Sequence, residues 1–172
     1  MSVEVLNESG TEVDVVELTK LSRFVMQRMR LHPATEMCLR LVDEDTIATL
    51  NRHWMGQDGP TDVLSFPMDE LEPGRDGEDP PEGYLGDIAL CPAVAGRQAD
   101  QAGHDAIDEI RLLTTHGLLH LLGYDHAEPE AHRVMFALQA RLLAEWHGVS
   151  GGDELLDAGV VAPADARPGV LP

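Results

Sequence analysis

The segment THGLLHLLGYDH, residues 115–126, constrains this chain more than any other. It sets His116, His120 and His126 among Leu118, Leu119, Leu121 and Leu122. Residues four apart on a helix share a face, with Cβ atoms about 5–6 Å apart, so His116 and His120 project together. Gly123 tolerates the left-handed conformation that ends a helix, and the chain beyond it can bring His126 back to the same point. Three imidazoles buried among leucines without a shared partner would be costly. The spacing therefore points to one metal ion held by three neutral nitrogens, with the open fourth position that catalytic zinc sites keep. The same ligands would also accept nickel or cobalt.

A protease reading of this spacing fails at one position. Metzincin proteases carry H-E-x-x-H-x-x-G-x-x-H, and the glutamate is the general base. Gly117 stands there in this chain, and glycine cannot accept a proton. No nearby glutamate in the helix replaces it.

The remaining pattern describes one domain around that helix. A chain of 172 residues, 43% hydrophobic and 25% charged, has room for one core and little for a second. SVEVLN (2–7) alternates as a strand. Leu18, Leu21, Val25 and Met29 mark one face of a helix from about Val15 to Leu31, closed by Pro33. EMCLRLV (36–42) is a second strand. Asp43 or Asp45 caps the next helix, with Ile47, Leu50 and Trp54 on one side. A third strand lies in GPTDVLSFP (59–67). Residues 68–83, rich in Pro, Gly and acid, read as a long mobile loop. YLGDIALCP (84–92) returns as a strand, and Pro92 can start a short helix. Asp105 caps the histidine helix, which runs to about Leu122. A last helix from about Glu128 to Trp146 carries Ala131, Met135, Leu138, Leu142 and Trp146 on one stripe.

These elements predict a small α+β domain over residues 1–147. It would hold a mixed sheet of about four strands, helices mainly on one face, and the metal site at the end of a central helix. Residues 148–172 are an acidic, Gly- and Pro-rich tail, predicted to be disordered. The N-terminus lacks the apolar run of a signal peptide, and no apolar run approaches the roughly 18 residues of a membrane span. Cys38 and Cys91 then read as reduced core thiols of a cytoplasmic protein. The formal charge of −19 repels nucleic acid and anionic membranes unless cations gather on one side. Six of the twelve basic residues do lie between positions 20 and 52: Lys20, Arg23, Arg28, Arg30, Arg40 and Arg52. That clustering keeps a nucleic-acid partner open without arguing for one.

Three blocks resemble the YbeY family of bacterial endoribonucleases. HGLLHLLGYDH (116–126) is similar to the family signature H-G-x-L-H-L-x-G-Y-D-H. LNRHWMGQDGPTDVLSFP (50–67) is similar to its region ending in P-T-D-V-L-S-F, and YLGDIALC (84–91) to its L-G-D-I strand. Order and spacing agree, so the resemblance covers roughly residues 3 to 147. It implies a metal-dependent endoribonuclease for single-stranded RNA, acting in ribosomal RNA maturation and ribosome quality control. It further implies one zinc ion on His116, His120 and His126. The partners would be rRNA precursors and the small ribosomal subunit, with no membrane and no DNA.

The resemblance matches Asp87 to a carboxylate beside the metal cleft. Read from the residues alone, Asp87 either orients a water or a histidine, or is a turn residue. Asp125 either orients His126 or makes an Asx-turn. Thr61 and Ser65 either donate to phosphate or are plain strand residues. Family members commonly carry an arginine just before the glycine of the second block, and often a lysine two residues later. This chain has Met55 and Gln57 there. An arginine would grip a phosphate through paired charged hydrogen bonds, and Arg52, one turn earlier, is the candidate substitute. Two other functions stand beside the nuclease. One is a ribosome-assembly factor that binds rRNA or the small subunit with weak or no catalysis, favoured by Met55 and Gln57. The other is a metal-dependent peptidase or amidase with Asp87 as base. For the nuclease, the nucleophile is water or the RNA 2′-hydroxyl.

Overall fold

Strand alternation gives the sheet two different faces, and each face chooses its own helices. The protein is described by a computed structural model over residues 1–150. Strands β1 (Ser2–Asn7), β2 (Glu36–Leu41), β3 (Val63–Pro67) and β4 (Tyr84–Leu90) form one sheet in the order β1-β2-β4-β3. β1, β2 and β4 run parallel, and β3 is antiparallel to β4. On one face Leu39 of β2 sits beside Val5 and Ile88, and Leu41 beside Leu90. These residues join the main core.

Four helices build that core: α1 (Val15–Arg28), α3 (Pro92–Ala102), α4 (Ala106–Leu121) and α5 (Pro129–Ser150). α4 lies on β3 and β4 and is packed in turn by α1, α3 and α5, so it is the central helix. The opposite face holds a smaller cluster of Val42, Ile47, Leu64, Ala89 and Cys91 beneath α2 (Glu44–Met55). The fold is the predicted α+β domain, with helices mainly on one face. Gly117 lies where α4 packs closely on the sheet. A Cβ there would meet Ile88 Cγ2 at 3.1 Å and Ser65 Oγ at 3.2 Å. The position that carries glutamate in the proteases therefore has sheet against it here.

Several boundaries follow the sequence reading because their signals are local. Asp14 caps α1 by accepting from Glu17 N at 3.0 Å, and Asp43 caps α2 by accepting from Thr46 N at 2.8 Å. Other details differ. α1 stops at Arg28 rather than Leu31, and Arg30 takes a left-handed φ of 59°. Asp105 stands at the N-cap of α4 without a side-chain capping bond. Trp54, assigned to an apolar side, is 57% exposed. Residues 68–83 hold no helix or strand, yet they are not simply loose: Leu71 is buried, and Gly74 N donates to Met29 O at 3.0 Å. This segment is pinned to the end of α1. The helix α5 continues to Ser150, into the predicted tail, and the rest of that tail lies outside the described residues.

Candidate metal centre

The histidine site begins with the way α4 ends. Gly123 adopts φ 96°, with its N–H donating to His120 O at 3.1 Å. Tyr124 N donates to Leu119 O at 3.0 Å. This paired closure is the glycine-dependent helix stop that the sequence predicts. It also reverses the chain, so the Tyr124 carbonyl comes back to face the helix it has just left. His120 Nδ1 lies 2.9 Å from that carbonyl. His116 Nδ1 lies 2.9 Å from Oε1 of Gln139, a buried residue of α5.

Both partners are oxygens that accept, so both Nδ1 atoms carry the proton and both Nε2 atoms present a lone pair. Those two Nε2 atoms are 3.0 Å apart. Two lone pairs at that distance repel unless a proton or cation is shared between them. The His126 ring completes the group, 5.5 Å from His116 and 5.1 Å from His120 between centroids. One nitrogen from each of the three lies within 4.8 Å of the others. Among the described residues this is the one such cluster of metal-ligating groups. The donor set fits a single divalent cation. Each histidine whose outer nitrogen is fixed by a carbonyl or amide oxygen is held in the tautomer that a metal requires.

Burial sets the electrostatics. His120 is 1% exposed; burial, then the neighbouring His116 and His126, push its pKa down to about 4. His116 is lowered as well, chiefly by burial, against the raising effects of Gln139 and Asp62. Both imidazoles are therefore neutral near pH 7, the state that binds metal. Asp125 Oδ1 accepts from His126 N at 2.6 Å and from Ala127 N at 3.2 Å, so it forms the turn that aims His126.

The other sequence candidates hold contacts of their own. Asp87 pairs with Cys38 and Phe66 across the sheet, while its neighbour Ile88 faces α4. Alternation therefore turns Asp87 to the α2 face. There the Tyr84 hydroxyl donates to its Oδ1. Asp87 lines a cleft of about 350 Å³ with Arg40, Leu50, Trp54, Phe66 and Met68. Arg52 is exposed in the last turn of α2. Ser65 is buried and donates to Gly117 O at 3.0 Å, a packing role. Thr61 Oγ1 lies 3.4 Å from Asp62 Oδ1.

Sequence reasoning passed over three contributors. Asp62 sits inside the quoted PTDVLSF block, and its charge acts on His116. Its own carboxylate accepts from Val63 N at 2.7 Å and from Gln98 Nε2 at 3.3 Å. Gln139 was detectable as a polar residue on the apolar stripe of α5, one turn after Met135. Phe136, 39% exposed, sets its ring 5.8 Å from His116 and 6.2 Å from His126.

Known proteins resemble this arrangement. The residue profile described as endoribonuclease YbeY matches residues 4–147. A protein of that name from Nocardioides sp. is 65% identical over 146 residues, 85% of this chain and 98% of that protein. The one from Thermobifida fusca is 56% identical over 146 residues, 85% and 94% of the two chains. A solution structure of a Thermotoga maritima protein superposes with a TM-score of 0.57 at 28% identity, covering 88% of this chain and 96% of that one.

Proposed function

The chain belongs to the endoribonuclease YbeY family, and from that premise we propose that it cleaves single-stranded rRNA precursors at one zinc ion held by His116, His120 and His126. The observation that carries this reading is the pair of inward Nε2 atoms 3.0 Å apart, each with its Nδ1 proton already committed to an oxygen. A divalent cation at such a centre supplies Lewis acidity toward a phosphoryl oxygen or an attacking hydroxyl. The chain's own residues hold that chemistry in place. Gln139 and the Tyr124 carbonyl fix the two ring orientations, and Asp125 aims the third histidine. Asp62 is the carboxylate we assign to steady positive charge around His116. Asp87, held by Tyr84 on the far face of the sheet, enters no step in this reading.

Arg52 is the cation we assign to the RNA backbone, flanking the places where Met55 and Gln57 offer no charge. The activity is assigned to one domain, residues 1–147. No helix of the described residues is long and apolar enough to cross a membrane. We place the protein in the cytoplasm, with the small ribosomal subunit as its partner.

The test joins metal content to cleavage. Purified protein should carry about one equivalent of zinc and cut single-stranded RNA, and a chelator or His120→Ala should abolish both. Metal without cleavage would favour the assembly-factor reading, with the missing cations at 55 and 57 as its cause. Protein that binds no metal would overturn the reading.

A further inference from the structure

The first turns of α5 carry two aromatic rings toward the metal centre that the reaction as described does not use. His132 and Phe136 are one helical turn apart, and their rings stack at 4.2 Å between centroids with planes 12° apart. The Phe136 ring also stands 5.8 Å from His116 and 6.2 Å from His126, at steep angles of 60° and 67°. His132 lies 6.4 Å from His126. Phe136 is 39% exposed although buried stripe residues flank it on the same helix, and His132 is exposed.

A phenylalanine left in water beside three polar rings gains nothing from the core. It can, however, offer a flat apolar surface to a flat ligand. The proximity to the histidines selects which ligand. A phosphate held at the centre places its own or its neighbouring base within reach of these rings. Bases of single-stranded RNA stack on aromatic side chains because every base has an exposed π face, whereas paired bases are stacked on one another already.

We propose that Phe136 and His132 form a stacking shelf for the unpaired base next to the scissile phosphate, and that this shelf supplies the preference for single strands. The proposal rests on the nuclease reading of the histidine centre. Trp54, the other exposed aromatic of the described residues with large area, lies on the α2 face with Asp87, and its ring meets those of His53 and Phe66 rather than those of His116, His120 and His126. It serves as the control.

The test is equilibrium binding of a fluorescent single-stranded 2′-O-methyl RNA, intact or with one abasic position moved along it. Zinc content is measured on the same samples. Phe136→Leu should weaken binding of the intact strand about tenfold, with zinc retained, and Phe136→Trp should restore it. His132→Leu should act in the same direction. An abasic site at one position should weaken binding to wild type but leave the Phe136→Leu affinity unchanged. Trp54→Leu should have no effect. Equal affinities of wild type and Phe136→Leu would overturn the shelf, as would an abasic penalty of equal size in both. A loss confined to Trp54→Leu would move the platform to the other face and overturn it too. Base-dependent binding without RNA cleavage by the wild type would instead count against the nuclease reading alone.

Discussion

The two faces of the sheet collect their polar groups by different routes. On the α4 side, three histidines come from eleven consecutive residues, and Gln139, Asp62 and His132 arrive from elsewhere. On the α2 side, Arg40, Trp54, Phe66 and Asp87 come from four separate elements, each placed by strand register or helix phase. Burial differs as sharply. His120 is sealed among leucines and cannot readily carry charge, whereas Trp54 and Met68 are more than half exposed. A centre that must present neutral nitrogens buries His120 among leucines and leaves His126 half-buried at its rim. A surface that only has to present shape is left open.

The largest expected consequence of that contrast is acid sensitivity. The folded pKa of His120 is depressed to about 4 from an ordinary 6.5. Between those values the unfolded chain binds a proton that the folded chain refuses, so stability falls as pH drops from 6.5 toward 4 and is fully present above 6.5. The shift corresponds to something on the order of 3 kcal/mol for the metal-free protein. Urea titrations of metal-stripped protein at pH 7 and pH 4.5 would show it, and His120→Gln should flatten the dependence. An unchanged midpoint in wild type would mean that the centre is wetter than its burial indicates.

Next in size is Gln139→Leu. It leaves the His116 Nδ1 proton without an acceptor in a dry site and frees the ring to turn. Losing such a partner typically costs 10–100-fold in metal affinity, to be read by competition with a chromophoric chelator. Gln139→Glu, which keeps an acceptor at the same reach, should bind at least as tightly as wild type. If Gln139→Leu bound zinc normally, the bond would be incidental to the centre.

Much of this molecule is legible without its structure, for reasons that are themselves local. The helix phase of His116 and His120, the glycine stop at 123 and the cap at Asp43 involve neighbours within a few residues. Each was readable. The four strands and the central place of α4 followed from hydrophobic period. The strand order β1-β2-β4-β3 did not, because pairing partners leave no mark on the spacing. Asp87 shows the same limit at the level of one side chain. A strand residue points to one face or the other by parity, and parity becomes meaningful only when the packing of its neighbour is known. Ile88 against Gly117 decides it. Gln139 was hidden differently, as one polar residue in a stripe otherwise read for its apolar members.

The smallest expected effect tests that parity argument directly. Asp62→Asn removes the carboxylate charge that acts on His116 and should weaken zinc binding by about fivefold, on the order of 1 kcal/mol at the effective dielectric of a partly buried site. Asp87→Asn should leave zinc affinity within about twofold of wild type, because distant changes without shared partners act independently. Its effect should appear on the opposite face. Burial first, and then the hydrogen bond and charge of Asp87, hold the Tyr84 hydroxyl well above the usual tyrosine range. Neutralising Asp87 should bring that titration part of the way back down, visible in ultraviolet difference spectra. The pair of variants separates the two carboxylates cleanly. If Asp87→Asn released zinc while Asp62→Asn did not, Asp87 would reach the histidines through the sheet and the division between the faces would fail.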